Sequence, residues 1–322
     1  MRRVVVVTGA GYGVGRAVAE AFGRRGASVA LLSRGEESLE AARETIGADA
    51  LAVPTDVADD EAVEAAAARV ERELGPIDVW VNCAMATIFA PFHEVTAAEY
   101  RRATEVTYLG YVWGTMAALR RMRARDRGSI VQVGSALAYR AIPLQSPYCG
   151  AKHAVRGFTD AVRTELIHDR SRVRVTSVHL PATNTPQFDV GRSRMPRLPR
   201  PVAPVYQPEV AAEAVVWASE HERREVWVGA STVATIVGNR LAPWLGDLYL
   251  ARNGYGAQQD REAAPSGRPD NLFAPVQGAH GAHGRFGDES AARSVQLRLA
   301  LHRDTLLALA GAAAAALALR RR

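Results

Sequence analysis

The sequence is poor in cysteine, and this scarcity argues against two kinds of structure. Only two of its 322 residues are cysteines, Cys83 and Cys149. They do not have the spacing of metal ligands, and they do not suggest a disulfide framework. No histidine or aspartate pattern accompanies either thiol, so we expect small buried packing residues rather than nucleophiles. We therefore predict no metal site and no disulfide scaffold.

A long apolar run is missing at the N-terminus. The chain begins MRRVVVVTGAG, in which a short basic start leads directly into a strand-like run and a glycine loop. This run is too short for a signal peptide, which favours a cytoplasmic, reducing location.

A basic stripe interleaved with aromatic residues is also missing. The formal net charge is +6, but the arginines are scattered along the chain. Nucleic-acid binding proteins usually concentrate their positive charge on one face or one helix. We expect no nucleic-acid partner, and a phosphorylated cofactor or an anionic membrane surface suits the charge at least as well.

Over its first 230 residues the sequence does contain a regular alternation of short strand-like runs and helix candidates. Short β-branched runs lie at 4–8, 28–33, 50–54, 77–82, 129–135, 173–180 and 225–230. Helix candidates lie at 14–26, 36–47, 59–74, 96–124, 146–170 and 207–220. Strands that are apolar on both faces and alternate with helices indicate a parallel sheet covered on both sides. The pattern predicts an α/β, Rossmann-like, doubly wound fold with seven parallel strands.

Composition divides the chain into a domain and a tail. Residues 1–255 form the predicted domain, and a proline- and arginine-rich interruption at 183–206 predicts a mobile lid over a substrate. Residues 256–300 are rich in Gln, Asp, Pro, Gly and His, which predicts a flexible linker. His280 and His283 lie in this stretch, where a solvated repeat is favoured over a metal site.

Residues 301–322 predict an apolar and basic helix at the C-terminus. The apolar run 305–319 would be about 22 Å long as a helix, short of the roughly 30 Å hydrocarbon core of a membrane. We expect a helix that packs on a partner or lies in a membrane interface, with a short anchor or a solvated tail as alternatives. Residues 305–322 are thus the segment through which membrane contact is expected.

A glycine-rich turn, TGAGYGVGRA at 8–17, joins the first strand to the first helix. Gly9, Gly13 and Gly15 allow a tight turn, let the backbone approach a pyrophosphate, and leave its charge at a helix N-terminus. At the end of the second strand the chain has Ser33 and Arg34 where an NAD site has an acidic residue. An arginine can hold a 2′-phosphate, so NADP(H) is predicted, although a solvated loop arginine is the alternative.

Tyr148 and Lys152 stand one helical turn apart, on one face, in SPYCGAKHA at 146–154. By itself this pair is also typical of an ordinary, partly exposed helix. Ser135, at the end of the fifth strand, precedes Tyr148 with twelve residues between them. Together with the glycine turn and the strand rhythm, this spacing resembles the short-chain dehydrogenase/reductase family over residues 1–230.

The resemblance implies roles for these three residues. Tyr148 would exchange a proton with a carbonyl or alcohol oxygen, and Ser135 would donate a hydrogen bond to that oxygen. Lys152 would hold the nicotinamide ribose, and its ammonium would lower the pKa of the Tyr148 phenol. Thr107 stands where the family commonly has an asparagine that organises a water chain to the lysine. Its carbonyl could keep that role if its hydroxyl bonds an earlier carbonyl and opens the helix.

The resemblance also implies a set of cofactor-binding residues. Asp56 would accept from the adenine amino group, although it could equally cap the helix that starts near Asp59. The family motif NNAG is NCAM here, which keeps Asn82 and Ala84 and places the bulky Met85 beside the expected cofactor path. The cofactor set is Gly9, Gly13, Val14, Gly15, Ser33, Arg34, Asp56, Val57, Asn82, Ala84, Tyr148, Lys152 and Thr185.

These observations predict an NADP(H)-dependent oxidoreductase that interconverts a carbonyl and a secondary alcohol on a small, apolar substrate. The resemblance further implies a homodimer or homotetramer. The alternative is a non-catalytic NADPH-binding sensor or scaffold on the same fold, which Thr107 and Met85 keep open. A sensor would need only the glycine loop, whereas Ser135, Tyr148 and Lys152 are all present.

Overall fold

A seven-stranded parallel sheet forms the centre of the molecule. The computed structural model describes residues 2–265 and 267–303. The strands are β1 (Val4–Thr8), β2 (Ser28–Ser33), β3 (Ala50–Pro54), β4 (Ile77–Asn82), β5 (Gly128–Ser135), β6 (Val173–Leu180) and β7 (Glu225–Trp227). Their order in the sheet is β7-β6-β5-β4-β1-β2-β3, and every pair is parallel. The predicted doubly wound fold is confirmed, since the order reverses between β1 and β4.

Helices cover both faces of this sheet. They are α1 (Gly13–Gly23), α2 (Glu36–Ile46), α3 (Asp60–Leu74), α4 (Ala97–Thr104), α5 (Gly110–Arg125), α6 (Ser146–His168), α7 (Gln187–Val190), α8 (Pro208–Glu220), α9 (Ala230–Leu241), α10 (Pro243–Asn253) and α11 (Val295–Leu301). One apolar cluster joins the sheet to α1, α2 and α8, and another joins it to α3, α5 and α6. Strands buried on both sides explain why the sequence shows continuous apolar runs rather than alternation.

The segment predicted as one long helix, 96–124, is interrupted. Residues Glu105–Leu109 form a π-helical turn between α4 and α5. Thr96 and Glu99 begin α4 with a capping box, in which each side chain accepts from the other residue's backbone N–H. A π-turn inside a helix is rare and often lies at a functional site.

Helices α9 and α10 follow the last strand and were not predicted. Their apolar residues do not concentrate on one buried stripe: Leu241, Trp244, Leu248 and Tyr249 are all more than half exposed. A helix whose apolar side chains face solvent lacks the period by which amphipathic helices are recognised.

Residues 256–303 pack against the domain, which differs from the predicted flexible linker. The strand Gln259–Ala263 pairs with Arg197–Pro199, and Ser290–Ala291 pairs with Val205–Tyr206. Leu272 and Leu297 are fully buried. Short 3₁₀ turns at Gly256–Gln258 and Gly287–Glu289 join these pieces. Composition misses this packing because a few buried side chains and many backbone hydrogen bonds hold a stretch that is otherwise polar.

The predicted lid, 183–206, is held to its surroundings by ion pairs. Arg192 and Arg194 both donate to the buried carboxylate of Glu99, at 2.7 and 2.6 Å. Arg192 also donates to Asp270 at 2.8 Å. Arg192–Ser193 also pairs with Ile88–Phe89.

Most of the predicted C-terminal helix, residues 304–322, lies outside the described residues. Among the residues that the structure does describe, no helix has the length and apolar character needed to cross a membrane.

Candidate active site

The turn between β1 and α1 requires glycine at several positions. Gly9 and Gly13 have φ values of +69° and +64°, which disfavour any residue with a Cβ. A Cβ on Gly15 would lie 2.1 Å from the carbonyl oxygen of Gly9. Helix α1 begins without a side-chain cap and without an acidic residue in its first turn. This turn is therefore a backbone cradle suited to an anion.

One cavity of about 760 Å³ runs from this cradle along the carboxyl ends of the strands. Most of the predicted cofactor and catalytic residues line it: Gly9, Gly13, Val14, Gly15, Ser33, Arg34, Asp56, Val57, Ala84, Ser135, Tyr148, Lys152 and Thr185. Met85 also lines the cavity, as the sequence suggested. The switch point of a doubly wound sheet is where such folds bind their ligands.

Asn82 and Thr107 do not line the cavity, and the Asn82 side chain points into the protein. Its Oδ1 accepts from Trp80 at 2.8 Å, and its Nδ2 donates to Gln132 at 2.9 Å and to Thr115 at 3.2 Å. The side chain is fully buried and does not line the cavity. The Asn82 side chain therefore braces the strand end from behind, and the place of Asn82 in the cofactor set stays a prediction.

Asp56 lies at the end of the cavity beside Arg34, and it does not cap a helix. Its Oδ1 accepts from the backbone of Ala58 at 3.0 Å, and its other oxygen pairs with Arg102. Helix α3 is capped by Asp59, whose side chain accepts from the backbone N–H of Ala62. The capping alternative for Asp56 is therefore wrong, and its carboxylate is held in place by Arg102.

The Ser135 and Tyr148 side chains both line the cavity and are joined by a hydrogen bond. Ser135 ends β5 and accepts from the backbone N–H of Leu137 at 3.1 Å. Burial raises the pKa of Tyr148, and a hydrogen bond with the Ser135 hydroxyl opposes this effect. The expectation that Lys152, assisted by bound NADP+, lowers this pKa stays a prediction, because in the protein alone burial is the largest influence. Tyr148 is consequently a protonated phenol at neutral pH.

Lys152 is a buried cation with defined partners. Its Nζ donates to the hydroxyl of Tyr111 and to the carbonyl of Val133, both at 2.8 Å. It lies 5.6 Å from the centre of the Tyr148 ring. Burial lowers the pKa of Lys152 to about 8, so the amine keeps its proton at neutral pH. Tyr111 is a residue that the sequence analysis missed, since nothing in YLGYVWG marks it except its place one turn after Thr107.

Thr107 is fully buried in the π-turn and bonds to the loop after β4. Its hydroxyl donates to the carbonyl of Ala86 at 3.0 Å and accepts from the N–H of the same residue at 2.9 Å. The predicted local opening of the helix is present, but the hydroxyl bonds Ala86 rather than a carbonyl one turn earlier. Thr107 therefore ties the helix to the loop that contains Ala84 and Met85.

Neither cysteine is suited to nucleophilic chemistry. Burial raises the pKa of Cys83 to about 12, although the Lys152 ammonium opposes this shift. Burial likewise raises the pKa of Cys149 to about 11. Thiols with raised pKa values are inert at neutral pH, which agrees with the packing role predicted for them.

The other half of the cavity has a largely apolar wall that the sequence analysis did not find. The wall includes Leu137, Ile142, Phe188, Val202, Leu241, Leu245 and Leu250. A few polar groups interrupt it, among them Arg140, Gln145 and Gln258. Gln145 donates to Gln258 at 2.7 Å, which joins the start of α6 to the C-terminal segment. Most of this wall comes from α9, α10 and the lid, whose irregular pattern hid it.

A nicotinamide dinucleotide fits the residues that line the cavity. A Cβ on Gly15 would meet the Gly9 carbonyl, so glycine there lets α1 start close against the turn and present its N-terminus to the cavity. Arg34 and Asp56 lie at one end of the cavity and Ser135, Tyr148 and Lys152 at the other. Such a cofactor would be held by the glycine cradle at its centre, and its nicotinamide end would meet the serine, tyrosine and lysine.

Comparison with known proteins gives the same picture. A family model described as short chain dehydrogenase matches residues 3–194. The uncharacterized oxidoreductase YxnA of Bacillus subtilis is 30% identical over 86% of this chain and 80% of its own length. The 3-dehydrosphinganine reductase of Danio rerio is 32% identical over 66% of this chain and 67% of its own length.

Among solved structures, an actinorhodin polyketide ketoreductase variant with NADPH superposes with a TM-score of 0.62. It is 27% identical and matches 70% of this chain and 95% of its own. The family match over residues 3–194, the relatives and the shared fold show that this chain belongs to the short-chain dehydrogenase/reductase family of oxidoreductases.

Proposed function

We propose that the protein is an NADP(H)-dependent oxidoreductase that interconverts a carbonyl and a secondary alcohol on a small, apolar molecule. One observation carries this proposal: Arg34, Ser135, Tyr148 and Lys152 line a single continuous cavity. The arginine suits a phosphorylated adenosine, and the other three suit proton transfer to an oxygen. The apolar wall opposite them suits the substrate.

The reaction follows from the states of these side chains. The dinucleotide, when bound, supplies the hydride. Ser135 donates a hydrogen bond to the substrate carbonyl oxygen, and Tyr148 gives that oxygen its proton during reduction. The Lys152 ammonium then stabilises the tyrosinate that is left behind, which offsets the burial that otherwise disfavours it. In the oxidation direction the same groups act in reverse.

Cofactor choice is the first test of this proposal. Arg34 offers a positive charge where a 2′-phosphate would need one, so we expect NADPH to bind at least tenfold more tightly than NADH, which is about 1.4 kcal/mol. Arg34→Asp should abolish or reverse the preference, because a carboxylate repels the phosphate. Dissociation constants from NADPH and NADH fluorescence titrations measure both effects.

An exposed arginine on α10 provides the matched control. Arg252→Asp makes the same change in charge, and it should leave the preference unaltered. Equal dissociation constants for NADPH and NADH in the unaltered protein would contradict the assignment of NADP(H).

Substrate class is the second test. The Danio rerio relative is named for 3-dehydrosphinganine, and the apolar wall here would accommodate a long aliphatic chain. A panel of long-chain ketones, cyclic ketones and short polar ketones, followed by NADPH absorbance, should show turnover on the apolar members. Tight NADPH binding without turnover on any member would favour the sensor or scaffold instead.

A further inference from the structure

Residues 268–286, here called the strap, cross the cavity at its Arg34 end. The Arg34 guanidinium donates to three consecutive backbone carbonyls of the strap, those of Asn271, Leu272 and Phe273, the last at 3.0 Å. Burial lowers the pKa of Arg34, but it stays a cation at neutral pH. In this structure the strap carbonyls therefore occupy the Arg34 guanidinium, which the proposed function assigns to a 2′-phosphate.

The strap also accepts a hydrogen bond from the glycine cradle. The backbone N–H of Gly13, at the start of α1, donates to the carbonyl of Gly281 at 3.1 Å. The Asn271 amide donates to the hydroxyl of Tyr12, and the Tyr12 ring lies edge-on to His280 at 5.8 Å. The strap is thus bound at two places where the sequence predicts cofactor contacts.

Both ends of the strap are anchored more firmly than its middle. At one end Leu272 is fully buried, and the N–H of Asn271 donates to Val190 at 2.9 Å. At the other end Phe286 is buried against Phe188, and its N–H donates to Asn184 at 3.0 Å. Between them, residues 273–281 are exposed or half-buried. The middle of such a segment, which includes Gly281, can open locally while its ends stay in place. Arg34 bonds carbonyls at the anchored end, so its release requires the guanidinium itself to turn away from them.

The bonds that hold the strap to Arg34 and Gly13 differ in kind from those that a phosphate would make. A carbonyl is a neutral acceptor, whereas a phosphate oxygen is charged. At Gly13 the phosphate turns a neutral bond into a charge-assisted one, and at Arg34 it adds the attraction of an ion pair and a bidentate geometry. Exchange of carbonyls for phosphate oxygens is therefore favourable at both places. A dinucleotide without the 2′-phosphate gains nothing at Arg34 to offset the loss of three carbonyl bonds.

We propose that the strap is a gate on the cofactor site, and that a 2′-phosphorylated dinucleotide opens it by taking Arg34 and the Gly13 amide from the strap carbonyls. This inference rests on the proposed function. Leu272 is then a residue that sets the rate of cofactor entry, although it lies far in sequence from the glycine cradle. The strap adds to the discrimination against NADH, because only the 2′-phosphate competes for Arg34.

A label on the strap tests the proposal without measuring turnover. Both natural cysteines are buried, so a Gln277→Cys variant can be labelled with an environment-sensitive fluorophore at the exposed middle of the strap. We expect the label to respond to NADPH and to adenosine 2′,5′-bisphosphate, and to respond at least fivefold less to NADH and AMP at equal saturation. The intrinsic fluorescence of NADPH and NADH reports their binding independently.

The entry rate gives a second readout. Leu272→Ala removes the buried anchor, so we expect the association rate constant of NADPH, measured by stopped flow, to rise at least tenfold. Leu297→Ala removes an equally buried leucine from α11, outside the strap, and should change that rate less than twofold. Gly13 and Arg34 are untouched in both variants.

The outcomes separate the two proposals. If NADPH binds while the label does not respond and Leu272→Ala leaves the rate unchanged, the gate is overturned and the proposed function stands. An equal response to NADH and NADPH overturns the competition for Arg34. Absence of NADPH binding overturns both.

Discussion

Tyr148 holds its proton more strongly than a free tyrosine does, because burial raises its pKa. In that state the phenol carries its proton at neutral pH but is a weaker acid than a free tyrosine, so donation to a carbonyl oxygen requires that the tyrosinate be stabilised. The Lys152 ammonium, fixed by Tyr111 and Val133 at 2.8 Å, is the nearby charge that can make the phenolate accessible. The position of the Lys152 ammonium thus decides how easily Tyr148 gives up and regains its phenolic proton.

Because Tyr148 transfers the proton, removal of its hydroxyl oxygen should have a large effect on turnover. Tyr148→Phe should lower turnover by about 10²-fold or more, because it removes the positioned donor. NADPH binding should change less than threefold, since the glycine cradle and Arg34 are intact. Steady-state rates and NADPH titrations measure the two effects separately.

Tyr255→Phe removes the hydroxyl from an exposed tyrosine and should leave the rate unaltered. Unchanged turnover in Tyr148→Phe, on a substrate that the unaltered protein reduces, would refute the mechanism.

At the scale of elements, the π-turn between α4 and α5 depends on one hydroxyl. Thr107 is the hydrogen-bond partner of both the N–H and the carbonyl of Ala86, and both residues are buried. Asparagine has a donor and an acceptor and can serve both groups, whereas valine has neither. The threonine therefore serves both backbone groups of Ala86 with one hydroxyl.

This dependence predicts opposite results for two substitutions. Thr107→Val keeps the shape but leaves two buried backbone groups without partners, so it should lower the free energy of unfolding by about 3 kcal/mol. Thr107→Asn should be tolerated, with a change in turnover below about tenfold. Urea unfolding and steady-state rates provide the measurements.

Thr104 offers a comparison within the same helix. Its hydroxyl bonds only the carbonyl of Tyr100, four residues earlier, at 2.9 Å. Thr104→Val should therefore cost less than about 1 kcal/mol. A Thr107→Val protein as stable as Thr104→Val would show that the Ala86 bonds contribute nothing.

Across elements, the sequence predicted some features well and others not at all, for physical reasons. The seven strands are continuous apolar runs because both of their faces are buried, and the bounds of five agree with the prediction residue for residue. The strap could not be predicted, because it binds Arg34 and Gly13 through its own backbone carbonyls, which every sequence has. Arg34 and Asn271 are 237 residues apart, and no local pattern links them.

Asn82 shows the same limit at a single position. A motif gives the residue and its strand, but the direction of the side chain depends on Trp80, Thr115 and Gln132, which come from three separate places in the chain. Helices α9 and α10 were missed because their apolar residues face the cavity and solvent rather than the sheet.

At the scale of the whole molecule, acid stability depends on a histidine buried beside the sheet. His179 lies on β6, 5.0 Å from the Tyr139 ring, with its Nδ1 3.3 Å from the carbonyl of Ser135. Burial lowers the pKa of His179 to about 4, although the Glu225 carboxylate opposes this shift. An unfolded chain would bind a proton there near pH 6.5.

The sign of the effect follows from these values. Between pH 6.5 and about 4 the unfolded state binds a proton that the folded state does not, so the free energy of unfolding falls as the pH falls. We expect a loss on the order of 2 kcal/mol from pH 7 to pH 4.5 in urea unfolding, before most carboxylates titrate. His179→Gln should reduce this loss.

Replacement of an exposed histidine gives the control. His93→Gln should leave the pH dependence as it is, since that side chain is largely in solvent. An identical pH dependence in His179→Gln and the unaltered protein would contradict the assignment to His179.

The apolar wall of the cavity has a consequence for how such a protein can change. The chemistry lies between Gly9 and Thr185, whereas α9, α10 and the 3₁₀ turn Gly256–Gln258 form one contiguous stretch that begins after the last strand. A chimera that exchanges residues 230–258 should therefore change the part of the wall that α9 and α10 form, and with it the substrate preference, while the catalytic residues and the rest of the wall are inherited.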